Sequence, residues 1–386
     1  MTTIHGTCDD RFTPVRDAFA KNFDDGLESG ASVAITHEGK SVVDLWAGQA
    51  RPDGTPWQQD TIVNVWSSTK TMAAVCMLML ADRGQLDFNA PVADYWPEFA
   101  QNGKDGVLVR HVMSHSTGLS GFDPPVTLEQ LYDRKALAQS LALQTPWWEP
   151  GTASGYHAIT QGQLQGEICE RITGVSLGEF FRTEVAEPLG ADFHIGLDTQ
   201  HDARVADLIP PETNPDAIPD PDPDSIAMRT LTSAPLDATA PLTREWRAAE
   251  LPAAGGTGNA RAIARVLSAL SCGGSVDGVT LMSPETVESV LEVQTDGVDL
   301  VLGSHVTFGL GFATYIQGVI APPNPRHFRW GGWGGSLALV DLDAHIAIGY
   351  VMNRMDDGAL NGDFDALGRG DPRSGAIVKA VYNSLA

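Results

Sequence analysis

Apolar and polar positions change period several times along the chain, and each change marks an element. Thr71-Met72-Ala73-Ala74-Val75-Cys76-Met77-Leu78-Met79-Leu80 is an unbroken apolar run, read as the body of a helix over about 70–84. Ala31-Ser32-Val33-Ala34-Ile35-Thr36-His37 and Ser41-Val42-Val43-Asp44-Leu45-Trp46-Ala47-Gly48 flank the turn Glu38-Gly39-Lys40 and predict a β-hairpin. A second hairpin is expected from Ser336–Leu342 and His345–Met352 around Asp343-Ala344. Arg11–Ser29 reads as an amphipathic helix, further helices are expected at about 107–116, 127–144, 158–173 and 176–188, and a last one covers Gly375–Leu385. Glu212–Leu242 departs from every period. Its Pro219-Asp220-Pro221-Asp222-Pro223-Asp224 fits neither a helix interior nor a central strand, so this stretch is expected to be a surface excursion over a cleft. Strands at both ends with helices between them predict an α+β fold, in which one antiparallel sheet is formed by the N- and C-terminal segments.

Composition narrows the partners. The chain has 386 residues, 42% of them hydrophobic, enough for two domains or one large domain with an insertion. Its formal net charge is −24, with only six lysines, and this repels nucleic acid and anionic membrane. No apolar run approaches the ~18 residues of a membrane span. Met1-Thr2-Thr3-Ile4-His5-Gly6 lacks the basic start and apolar stretch of a signal peptide. The four cysteines are widely spaced and form no C-x-x-C pair. A soluble, reduced, cytoplasmic protein with no metal and no cofactor is the expectation. His111 and His115 stand four apart but lack the glutamate of H-E-x-x-H, and no G-x-S-x-G is present.

Candidate chemistry begins at Ser67-Ser68-Thr69-Lys70, at the head of the apolar run. On a helix, positions three apart share a face one turn from each other. A hydroxyl becomes a nucleophile when a base removes its proton, and an amine can be that base when its surroundings lower its pKa. A helix N-terminus also favours developing negative charge. The spacing therefore proposes serine acyl transfer. A second proton-handling group is offered by Tyr156, in the loop Pro150-Gly151-Thr152-Ala153-Ser154-Gly155-Tyr156-His157-Ala158. Trp330-Gly331-Gly332-Trp333-Gly334-Gly335, ahead of the second hairpin, offers glycines where a ligand could approach the backbone closely.

The order Ser67-x-x-Lys70, then Tyr156, then Trp330-Gly331-Gly332 resembles the class C β-lactamase and penicillin-binding-protein-like serine hydrolases. Within that superfamily it is most similar to the family VIII carboxylesterases. Leu86-Asp87-Phe88-Asn89-Ala90-Pro91-Val92, Ser114-His115-Ser116-Thr117-Gly118-Leu119 and Ala253-Ala254-Gly255-Gly256-Thr257-Gly258 carry the resemblance further. It implies a β-lactamase-like fold, with a sheet domain from 1–66 and 255–386, a helical domain over 67–254, and the active site at their interface. It also implies roles: Ser67 as nucleophile, Lys70 and Tyr156 as general base and then acid, and the backbone N–H groups of Ser67 and Trp333 as the oxyanion hole. Trp330, Gly331, Gly332 and His157 would bind substrate.

Departures from the family pattern bear on the substrate. β-Lactamases of this fold carry Lys-Thr-Gly where this chain has Trp330-Gly331-Gly332, and Tyr-x-Asn where it has Tyr156-His157-Ala158. Tryptophan brings one N–H and no charge, and Ala158 cannot bind a substrate amide through its side chain. An uncharged ester of short to medium acyl chain fits better than a β-lactam, with no nucleic acid or membrane partner. Three alternatives share the same residues: an acyltransferase, an amide hydrolase and a weak β-lactamase. A non-catalytic binding protein that kept the fold is a fourth. Arg329, next to Trp330 on a strand, is expected to face away from the site.

Overall fold

The computed structural model describes residues 2–211, 222–356 and 370–386. Of the expected excursion, residues 212–221 lie outside the described residues. Its described part, 222–242, is packed rather than open. Helix Ile226–Thr232 is capped by Ser225, whose Oγ accepts from the Met228 N–H at 3.2 Å. Its buried Thr230 hydroxyl lies 2.6 Å from that of Ser120. Proline marks the entry to this segment, and side-chain caps then restart a helix.

Fourteen strands are described. β1 (Ile4–Cys8), β2 (Gly30–His37) and β3 (Lys40–Gly48) come from the N-terminal end. β4 (Val63–Asn64), β5 (Phe193–Ile195) and β6 (Gly256–Gly258) form a small sheet, and β7 (Ser275–Val276) pairs with β8 (Val279–Thr280). β9 (Thr295–Val298), β10 (His305–Phe308), β11 (Ala313–Ile316), β12 (His327–Gly331), β13 (Leu337–Asp341) and β14 (Ile346–Met352) complete the set. The large sheet runs β1-β3-β2-β14-β13-β12-β11-β10-β9, antiparallel throughout. The chain ends meet where β2 pairs with β14, Ile35 opposite Ile348. This is the β-lactamase-like α+β arrangement, an antiparallel sheet built from both ends of the chain and flanked by helices.

The first hairpin closes through Glu38 and Gly39, both at positive φ (51° and 76°), the turn whose twist matches that of its strands. β1 was not foreseen: its sequence Ile4-His5-Gly6-Thr7-Cys8 is polar, and pairing with β3 at the sheet edge makes it a strand. The helix expected over Arg11–Ser29 is shorter. It is α1 (Thr13–Asp24), begun by Pro14 in its first turn. The single helix expected at 127–144 is two, Leu128–Leu131 and Arg134–Leu143, because Asp133 caps the second by accepting from the Ala136 N–H. The expected 107–116 helix shrinks to Val109–Met113. His115 beyond it takes φ 59° and cannot continue a helix.

Helix α2 (Thr69–Asp82) is the axis of the molecule. Every residue from Thr69 to Leu80 is buried, as expected for a helix apolar on all sides. It packs against helices Thr160–Thr173 and Leu177–Phe181 and, at its start, against β12. Helix Ala260–Ser271 lies on β2, β13 and β14. Gly349 permits that approach, since a Cβ there would sit 2.3 Å from the Ala260 carbonyl oxygen.

Candidate active site

Ser67 sits on the short 3-10 turn Trp66–Ser68 that leads into α2. Its predecessor, Trp66, takes φ 47°, a left-handed conformation that a bulky side chain adopts at a cost of ~1–3 kcal/mol. The Trp246 and Trp333 rings hold it there, with centroids at 5.3 and 4.8 Å. The Thr69 hydroxyl donates to the Trp66 carbonyl at 2.5 Å and accepts from the Gly256 N–H at 2.9 Å, so β6 braces the same turn. Sequence reading passed over Trp66; its place immediately before the tetrad was the only signal.

Lys70 lies one turn on and is 2% exposed. Its Nζ donates to the carbonyls of Ala158 at 2.7 Å and Ala253 at 2.9 Å, and lies 3.2 Å from Ser67 Oγ. No carboxylate pairs with it among the described residues, and burial holds its pKa well below the ordinary lysine range. The Tyr156 hydroxyl donates to Ser67 Oγ at 2.6 Å, and the Trp330 indole N–H reaches that phenol oxygen at 3.4 Å. Burial pushes the Tyr156 phenol up to about 12, against the smaller lowering effect of these hydrogen bonds.

A neutral Lys70 has two N–H groups, which the two carbonyls occupy, and one lone pair, which faces the Ser67 hydroxyl. A neutral Tyr156 donates to the same Ser67 oxygen. Burial favours this uncharged arrangement over an ammonium beside a tyrosinate.

The turn after β12 meets Ser67 from the other side. A Cβ on Gly332 would fall 2.1 Å from the Val65 carbonyl oxygen, so the close approach here is protein backbone. The Ser336 hydroxyl donates to Val65 O at 2.7 Å and lies 2.8 Å from Ser68 Oγ. Gly331, Gly332 and the half-buried Trp333 are thereby drawn against the Ser67 turn. Trp330, Tyr156, Phe308 and His115 form an aromatic wall, with Trp330 centroids 5.2 Å from Tyr156 and 5.4 Å from Phe308. Arg329 faces elsewhere and gives a hydrogen bond to Ile320 O at 2.6 Å.

His157 is a correction. The residue expected to touch substrate is fully buried, its Nε2 2.6 Å from Thr117 Oγ1 and its Nδ1 2.5 Å from Gly155 O. Burial brings it down to about 3, so it is a neutral spacer behind the Tyr156 loop. That loop is enclosed rather than exposed. His115 accepts the His157 N–H on Nδ1 at 3.0 Å, and its carbonyl accepts the Gly155 N–H at 2.9 Å. Asp299, 1% exposed, accepts the N–H groups of Tyr156, Val301 and Leu302 on one oxygen at 2.9–3.0 Å. Neither His115 as a loop anchor nor Asp299 could be assigned from local sequence, because their partners are distant in the chain. A cavity of about 340 Å³ beside Ala81 and Arg110 lies at the opposite end of α2, ~20 Å from Ser67 at 1.5 Å per residue, and is no part of this site.

Among the described residues, no helix is long and apolar enough to cross a membrane. Likewise, no three His, Cys, Asp or Glu side chains converge as metal ligands would.

A family model described as Beta-lactamase matches residues 19–368. The esterase/beta-lactamase LipL of Mycobacterium tuberculosis is 35% identical over 372 residues, covering 91% of this chain and 83% of that protein. The crystal structure of a family VIII carboxylesterase superposes with a TM-score of 0.91 at 41% identity, over 99% of this chain and 100% of the other. A penicillin-binding protein homologue from Caulobacter crescentus superposes at 0.89 with 39% identity, over 99% and 100%.

Proposed function

The chain belongs to the beta-lactamase family, and from that membership we propose that it is a serine carboxylesterase acting on short- to medium-chain acyl esters through an acyl-enzyme on Ser67. The carrying observation is the geometry at Ser67 Oγ: a buried amine with no carboxylate partner among the described residues 3.2 Å away, and a phenol donating to the same oxygen at 2.6 Å. The reading places the site between a sheet unit, 1–66 with 255–386, and a helical unit, 67–254.

Lys70 takes the Ser67 proton as Oγ bonds to the ester carbonyl carbon. The developing oxyanion is held by the Ser67 and Trp333 backbone N–H groups. Removing one such donor typically lowers turnover by ~10²–10³. Collapse breaks the bond to the alcohol, and Tyr156 passes a proton to the leaving alkoxide. The Lys70 ammonium gives its proton to the tyrosinate, so both groups are neutral again. Water then attacks the acyl-enzyme with Lys70 as base. As the second intermediate breaks the acyl–Oγ bond, Tyr156 protonates Ser67 Oγ and recovers its proton from Lys70. Trp330, Gly331 and Gly332 shape the acyl side. The uncharged aromatic wall around them supports an ester without a carboxylate. All four cysteines are free, which fits a reducing compartment such as the cytoplasm.

Ser67→Ala tests this directly. Hydrolysis of p-nitrophenyl butyrate should fall by on the order of 10⁴-fold or more, and a fluorophosphonate should no longer add its mass to the protein. Retained hydrolysis in that variant, or a wild type that never labels, would sink the reading. Rates on an ester, its amide and a cephalosporin, with and without an added alcohol, rank hydrolysis against acyl transfer, amide cleavage and β-lactam turnover.

A further inference from the structure

The turn that carries Trp333 is held from behind by a buried charge cluster that originates at the far end of the chain. Arg373 is 1% exposed and belongs to the last helix, Pro372–Leu385. Its Nη2 donates to the Gly334 carbonyl at 2.6 Å and to Asp371 Oδ2 at 2.5 Å. Its Nε donates to Asp371 Oδ1 at 3.0 Å. Its Nη1 reaches Glu28 Oε2 at 3.2 Å and the carbonyls of Arg354 at 2.8 Å and Leu27 at 3.3 Å. Every face of the guanidinium is therefore occupied, and its orientation is determined.

The turn is shaped to fit this clamp. Gly335 takes φ 122°, and a Cβ there would sit 2.1 Å from Asp371 Oδ2 and 2.6 Å from Arg373 Nη2. Gly334 takes φ 90°, and its carbonyl also accepts the Asp356 N–H at 3.0 Å. On its other side the turn is tied to the nucleophile by Ser336, whose hydroxyl donates to Val65 O. Trp333 lies between Gly332, whose N–H donates to the Ser336 carbonyl at 2.9 Å, and Gly334, whose carbonyl the clamp holds. Asp371 serves twice: it caps the last helix by accepting from the Arg373 and Ser374 N–H groups, and it chelates the guanidinium.

We infer that Arg373, oriented by Asp371, is a positioning residue that sets the backbone of the Gly331–Gly335 turn and so aims the Trp333 N–H at the oxyanion formed on a Ser67-bound ester. The inference rests on the esterase reading above. Arg373 touches no substrate and acts only through the Gly334 carbonyl and the close contact at Gly335. A helix end some forty residues beyond the turn thus becomes part of the catalytic geometry.

The test compares an oxygen ester with its thiono analogue, in which C=S replaces C=O, across wild type, Arg373→Lys and Asp371→Asn. Sulfur is a weak hydrogen-bond acceptor, so the oxo-to-thiono rate ratio reports the oxyanion donors. Arg373→Lys keeps the buried positive charge and loses the fork. It should lower kcat on the oxygen ester by ~10²-fold with KM little changed, and shrink the oxo-to-thiono ratio roughly tenfold or more. A role limited to stability would lower both rates together and leave the ratio unchanged, and that result overturns the inference. If Arg373→Lys does not fold, the near-isosteric Asp371→Asn carries the same prediction. Wild type that fails to label at Ser67 with a fluorophosphonate overturns the esterase reading and this inference with it. Labelled wild type with an unchanged ratio in the variants overturns the clamp alone.

Discussion

Two buried cations in this molecule have opposite surroundings. Lys70 and Arg373 are 2% and 1% exposed. Lys70 meets only carbonyls and a hydroxyl, and burial drives its pKa well down. Arg373 meets the Asp371 carboxylate and the Glu28 carboxyl, and Asp371 foremost holds its charge more firmly than in water despite its burial. Burial alone thus assigns no role to a basic side chain; the counter-ions do. A cation deprived of carboxylates becomes a neutral base, whereas one surrounded by them becomes a fixed strut. Lys104 sharpens the point. It is equally buried and bonded to the Gln101 and Gln144 carbonyls at 2.9 and 2.5 Å, and burial draws it down to about 8. It has a lowered pKa but no hydroxyl to activate.

The largest way to break this contrast is Lys70→Met. Turnover should fall by ~10²–10⁴-fold, the usual range for a lost general base. The melting temperature should not fall, because a desolvated amine without a counter-ion adds little to stability. Arg373→Met should do the reverse to the fold, costing ~3–5 kcal/mol by leaving the Asp371 carboxylate unpaired. Calorimetry beside kinetics on the two variants decides, and a matched loss of stability in both would erase the contrast.

A smaller effect lies in the pH profile of the wild type. In the proposed mechanism Lys70 acts as the neutral amine, so kcat/KM should rise with pH through its lowered pKa and level off far below the ordinary lysine value of 10.5. Activity that keeps climbing to that value would mean the amine is not desolvated in solution.

Next comes Glu28, which burial raises to about 8 although Arg373 pulls it down. The native state holds a proton that the unfolded carboxyl releases near 4.5. The stability it contributes is therefore complete below that value and is lost as pH rises through about 8. Glu28→Gln should flatten the stability curve across that window in urea titrations, and an unchanged slope would place the titration elsewhere. Least affected is Lys104→Met, which should leave ester turnover unchanged. A large loss there would show that a buried lysine can matter to catalysis without facing the nucleophile.

Much of the architecture was legible because it is local. The Glu38-Gly39 turn specified its hairpin, and the two short apolar runs of β13 and β14 around Asp343-Ala344 specified the second. Edge strand β1 was not legible, since its polar residues become a strand only by pairing with β3, Thr7 opposite Asp44. The long helix expected at 127–144 ignored the capping power of Asp133. Within the site, sequence reading picked out Ser67, Lys70 and Tyr156, and the fold brings the amine and the phenol to 3.2 and 2.6 Å from Ser67 Oγ. Adjacency misled at His157, because a loop that folds inward buries alternate residues while Tyr156 alone reaches the serine.

The division has a physical basis. Turn type, helix period and the three-residue step from Ser67 to Lys70 depend on neighbours along the chain, and they can be read from it. The state of Lys70 depends on carbonyls 88 and 183 residues away. The Trp333 turn depends on a guanidinium 39 residues beyond Gly334. Desolvation and long-range hydrogen bonding are properties of packing, and only the folded chain decides which amine loses its proton and which cation keeps it.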